Sequence, residues 1–182
     1  MSKLLIVVDM QNDFIDGALG TPEAQRIVEP VNKKIEEYDA RGDLVIFTAD
    51  THGEHYLQTQ EGRNLPIPHC IKGSTGWEIC GSLFRPQDAP VIEKETFGSN
   101  DLGIMMMELD RAGKAPDEIE LVGLCTDICV ISNALMIKAF LPEVPITVDA
   151  SCCAGVTPES HENALNAMEA CQIRIVQKGI EL

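Results

Sequence analysis

Short runs of β-branched and aliphatic residues alternate with helical patterns along this chain, and that alternation limits the folds open to it. Strands are expected at Leu4 to Val8, Leu44 to Thr48, Val91 to Glu93, Ile119 to Leu124, Ile146 to Asp149 and Ile173 to Val176. The first is a continuous apolar run, as in a strand buried on both faces. Helical patterns lie between them. One runs from Pro22 to about Ala40, with Ile27, Val31 and Ile35 on one side and Arg41-Gly42 as its stop. Others cover Leu102 to Ala112, 127 to 140, and Pro158 to Ala170. Such alternation predicts right-handed βαβ units: an α/β, three-layer sandwich with a central parallel sheet and helices on both faces. Its 182 residues suit one domain, 1–182.

Ligands of such sheets bind outside the carboxyl ends of the strands. Asp9, Asp50, Lys94 and the segment Cys125 to Cys129 all fall at those ends. In the stretch Ile119 to Phe140, Thr126 or Asp127 can cap a helix that carries Cys129 in its first turn. A thiol there faces unpaired N–H groups and the positive helix end, which favour the nucleophilic thiolate and can hold an oxyanion. Asp9 could take the thiol proton, and Lys94 could lower the thiol pKa further.

Between residues 50 and 90 lies an irregular excursion with Pro66, Pro68, Pro86 and Pro90. Loops of that length are commonly functional. It holds three of the four histidines, His52, His55 and His69, together with Asp50 and Glu61. Carboxylate and imidazole suit zinc, iron or manganese. His55 reads more simply as a solvated surface histidine, and Cys70 as either a ligand or a buried loop residue.

Composition narrows the partners. Fourteen Lys and Arg against 29 Asp and Glu give a formal charge of −15, which opposes nucleic acid and anionic membrane. The opening MSKLLIVVDM is too short for a signal core, and no apolar run reaches membrane-spanning length. Seven cysteines without a C-x-x-C pair read as reduced thiols in a cytoplasmic protein.

Five segments share one order with a known family: Asp9-Met10-Gln11-Asn12-Asp13-Phe14, Asp50-Thr51-His52, His69-Cys70-Ile71-Lys72-Gly73, Lys94-Glu95-Thr96-Phe97 and Gly123 to Val130. Over Leu4 to about Ala154 the chain resembles the isochorismatase-like cysteine hydrolases, and among them the nicotinamidases. The resemblance implies a triad of Asp9, Lys94 and Cys129, and a divalent metal, zinc before iron or manganese, on Asp50, His52 and His69. Glu61 is the candidate fourth ligand. It also implies a cis peptide at Leu124–Cys125, with the Cys125 and Cys129 amides forming an oxyanion hole. The metal would hold a pyridine nitrogen while Phe14 packs on the ring. Attack of Cys129 on the carboxamide then gives a thioester, ammonia and the acid, a step of nicotinamide salvage. One departure stands out: Pro66 occupies a position where nicotinamidases commonly have a ring-lining Trp, and Trp77 reads as structural. Two alternatives follow, a hydrolase of another small amide or carbamoyl compound and a non-enzymatic metal-binding module. The apolar run Ile128 to Leu141 is suited to a buried helix or to a homo-oligomer interface.

Overall fold

The computed structural model describes residues 2–178; the outermost ends of the expected 1–182 domain lie outside that range. Its first strand, β1 (Lys3–Val8), is the middle of everything else. Leu4 to Val8 have no solvent exposure, and their side chains alternate between two cores. Leu4, Ile6 and Val8 join one apolar cluster, and Leu5 and Val7 the other.

The remaining elements follow in chain order. They are α1 (Asn12–Ile15), α2 (Pro22–Arg26), α3 (Val28–Ala40), β2 (Leu44–Asp50), α4 (Gln60–Asn64) and β3 (Val91–Lys94), then α5 (Asn100–Arg111), β4 (Glu118–Leu124), α6 (Ile131–Phe140), β5 (Ile146–Ala154), α7 (Pro158–Ala170) and β6 (Arg174–Val176). The six strands form one parallel sheet in the order β3-β2-β1-β4-β5-β6. Residues of α5, α6 and α7, among them Leu102, Ile137 and Leu165, close one face. Ala24, Ile27, Val31 and Ile35 from the α2–α3 region close the other. The expected three-layer sandwich is the observed one. Among the described residues no helix is long and apolar enough to cross a membrane.

Three local expectations need correction. The single helix expected from Pro22 to Ala40 is two helices meeting at Ile27, which ends α2 and begins α3. Pro30 explains the break: it has no N–H for the Arg26 carbonyl four residues back, and its ring crowds that carbonyl. The helix expected over 127–140 begins as a π-helical turn, Thr126–Val130, and becomes α-helical only at Ile131. Finally, β5 does not stop at Asp149 but continues to Ala154 across a register shift opposite Leu121 to Gly123. Asp149 Oδ1 accepts the Ser151 N–H and hydroxyl there, so the polar pair is a local irregularity within the strand rather than its end.

The strand ends prepare the site. Gly123 pairs with Val8 at φ +115°, and a Cβ at that position would press into the Val8 carbonyl oxygen. Only glycine permits β4 to approach β1 this closely just before the Cys125 turn. Within the long excursion, a short 3-10 turn (Tyr56–Gln58) and α4 supply local order, and the Tyr56 ring is buried.

Candidate active site

Asp9 leaves β1 in a left-handed conformation (φ 46°), with its carboxylate completely buried. The Thr48 hydroxyl donates to Asp9 Oδ1 (2.6 Å), and Lys94 Nζ lies 2.7 Å from Oδ2. From the last position of β3, Lys94 also reaches Asp50 Oδ1 at 3.2 Å and Cys129 Sγ at 3.4 Å. One ammonium thus contacts both the Asp9 carboxylate and the Cys129 thiol. Three strand ends therefore bring Asp9, Lys94 and Cys129 into one contact set, as expected.

The charge state of the thiol is a correction. Burial pushes Cys129 well above its usual pKa, and the Asp9 charge adds to that; Lys94 opposes both without prevailing. Cys129 rests as a thiol, contrary to the thiolate expected from its position in the turn. Burial likewise raises Asp9 despite the Lys94 ammonium beside it, which makes it a stronger proton acceptor than an exposed aspartate. Nor do Thr126 and Asp127 cap the helix. The Thr126 hydroxyl meets His161 Nδ1 at 2.8 Å, and the Asp127 carboxylate accepts the Val156 N–H at 3.1 and 3.3 Å. Cys125 is the residue before the turn, and the Leu124–Cys125 peptide is cis, as the resemblance implied.

Beside the triad, Asp50 Oδ2 stands 2.9 Å from His52 Nε2 and 3.5 Å from His69 Nε2. All three residues are buried, and their ligand atoms lie within 4.8 Å of one another. Two observations fit a metal. His69 Nδ1 sits 2.9 Å from the Ile67 carbonyl, which can only accept, so the ring proton is on Nδ1 and Nε2 offers a bare lone pair. His52 Nε2 is buried without a hydrogen-bond partner of its own. An orphaned imidazole nitrogen facing a carboxylate and a second lone pair is suited to a shared divalent cation. Burial works to raise Asp50, but the neighbouring His52 and His69 imidazoles and the Lys94 charge carry it well below the carboxylate range. Glu61 Oε1 lies 3.5 Å from His52 Nε2 and 3.7 Å from His69 Nε2, at the margin of the group. His55 is exposed on the cavity wall, in keeping with its solvated reading. Cys70 is buried, and the metal-ligand group does not include it.

Both groups open into one cavity of about 930 Å³. Phe14 lines it, with its ring centroid 5.5 Å from that of His69. Leu65 and Tyr56 form the neighbouring wall, whereas Pro66 is exposed outside it. Trp77 does not line the cavity; its Nε1 donates to Thr51 Oγ1 at 2.9 Å, a structural role as expected.

Several supporting residues escaped the sequence reading. Gln11 is fully buried and grips the Asp50 main chain twice, accepting from its N–H (2.7 Å) and donating to its carbonyl (2.8 Å). Asp13 Oδ2 accepts the Cys70 N–H next to His69. Asn133 ties the Cys129 carbonyl to the Phe97–Ser99 segment on the cavity rim. Gln11 and Asp13 lie in a quoted motif, which was the available signal; Asn133 and His161 have none in the sequence.

A profile of the isochorismatase domain matches residues 3–178. The chain belongs to the isochorismatase family. Similar family members include an uncharacterized isochorismatase family protein of Bacillus subtilis, 32% identical over 91% of this chain and 93% of its own length. The nicotinamidase of Escherichia coli is 27% identical, covering 92% and 90%. In structure the chain is similar to the pyrazinamidase of Pyrococcus horikoshii in complex with zinc. That match has a TM-score of 0.83 and 31% identity over 97% of this chain and 99% of the other. Within this isochorismatase-family chain, the Asp50-His52-His69 cluster is accordingly a candidate site for a divalent metal.

Proposed function

We propose that this chain is a metal-containing cysteine amidohydrolase that converts nicotinamide to nicotinate and ammonia. The observation that carries the reading is the contact of Lys94 with Cys129, Asp9 and Asp50 at once, which joins a nucleophile and a base to a buried ligand cluster in one cavity. Similarity to the nicotinamidase and pyrazinamidase above supports the substrate. Held by Asp50, His52 and His69, with Glu61 as a fourth ligand, a divalent cation (zinc in this reading) would supply a Lewis acid for the pyridine nitrogen and fix the ring.

Phe14 packs against the bound ring. Asp9, which shares the Lys94 ammonium with Cys129, takes the thiol proton, and the sulfur attacks the carboxamide carbon. The C–S bond forms as the carbonyl π pair moves to oxygen, and the Cys125 and Cys129 amides hold that oxyanion. Lys94 keeps Asp9 fixed and offsets the negative charge developing on sulfur. Asp9 returns the proton to nitrogen, the C–N bond breaks and ammonia leaves. Water, giving a proton to Asp9, then hydrolyses the thioester to the acid and restores the thiol.

A second reading, hydrolysis of another small amide or carbamoyl compound, draws on the cavity of about 930 Å³, which exceeds what a single ring fills. Ammonia release from nicotinamide, pyrazinamide and a panel of N-carbamoyl amines separates the two. The first reading expects the highest kcat/KM for the pyridine or pyrazine amide. A carbamoyl compound exceeding both by tenfold or more would overturn it.

A further inference from the structure

Three of the four histidines lie on or near the ligand cluster; the fourth, His161, meets the cysteine turn from α7. Thr126 opens the π-helical turn between Cys125 and Cys129 and is completely buried. Its hydroxyl meets His161 Nδ1 of α7 at 2.8 Å. The same connection grips the turn again one residue on, where Asp127 accepts the Val156 N–H. Gly155 makes the approach possible, since a Cβ there would stand 2.9 Å from both the backbone nitrogen and the Cβ of His161. The turn itself closes with an i to i+5 bond, Val130 N–H to the Cys125 carbonyl at 3.0 Å. Such turns are rare and not self-sustaining in the way an α-helix is, so side-chain anchors decide their shape.

We propose that His161 is a positioning residue for the nucleophile: through Thr126 it sets the turn that presents the Cys129 thiol and the Cys125 amide to a substrate carbonyl. The proposal rests on the assignment of Cys129 as nucleophile, not on nicotinamide as substrate. A misplaced nucleophile loses rate while ground-state binding on the other wall of the cavity is untouched. A plain packing contact would lower thermal stability and leave kcat alone.

The test compares wild type, H161A and H161N by steady-state kinetics and by the rate at which iodoacetamide alkylates Cys129, located by peptide mass. Asparagine places a hydrogen-bonding atom near the position of histidine Nδ1. The expected result is a loss of roughly tenfold in kcat for H161A, with KM within about twofold. Cys129 alkylation should change in H161A, and H161N should restore both readouts to near wild type. Unchanged kcat and alkylation in folded H161A, or H161N no better than H161A, would overturn the proposal. If H161A does not fold, the comparison moves to T126V, which removes the hydroxyl that meets His161. The proposal expects the same kcat loss in T126V with KM within about twofold; wild-type kcat and alkylation in folded T126V would overturn it. If wild type leaves nicotinamide intact, the substrate reading fails, and the alkylation rates still decide the role of His161.

Discussion

At the scale of single residues, the site depends on one cation held among anions. Lys94 has a 1% exposed side chain and faces Asp9, Asp50 and the Cys129 sulfur. Burial alone would push its pKa down, yet the Asp9 and Asp50 carboxylates raise it above the ordinary lysine value, so it stays charged. Removing the ammonium leaves two buried carboxylates without their shared cation. K94M is therefore expected to cost about 3 kcal/mol in denaturant unfolding as well as activity. Wild-type stability in K94M would contradict this electrostatic role. The position of Lys94 was legible because it ends a strand; the ionisation of Cys129 was misread because desolvation outweighs a favourable turn, and burial cannot be read from one residue's place in a sequence.

At the scale of elements, α7 is joined to the Cys125–Cys129 turn by a histidine that titrates. Burial lowers the His161 pKa below its usual 6.5, with Glu162 and Asp127 opposing in part. The unfolded chain then binds a proton at a pH where the folded chain does not. The stability from neutral His161 is present in full above pH 6.5 and declines as pH falls toward the folded value. The melting temperature of wild type should accordingly fall more steeply below pH 6.5 than that of H161N; parallel curves would contradict the assignment. The strands were legible because parallel strands buried on both faces are continuous apolar runs, as in Leu4 to Val8. The Pro30 break, the irregularity at Asp149 to Ser151 and the π turn were not. The first two are local, a proline within a helical pattern and an Asp149–Ser151 contact that does not end its strand; the π turn depends on a partner far along the chain, Thr126 with His161, 35 residues away.

At the scale of the whole molecule, the sheet gathers two centres that share Asp50, with Oδ1 toward Lys94 and Oδ2 toward the histidines. Metal binding and folding are thereby linked. Zinc at about a hundred times its dissociation constant should stabilise the protein by about 2.7 kcal/mol, reversibly on chelation. H69A should lose that shift; an equal shift in H69A would move the metal elsewhere. The central claim is that Cys129 forms the covalent bond to substrate. The most direct measurement is ammonia release from nicotinamide by metal-replete wild type beside C129A, with circular dichroism confirming that both are folded. The expected result is steady release by wild type and a loss of at least about 10³-fold in C129A. Equal release from both would contradict the claim and transfer the nucleophile to another group.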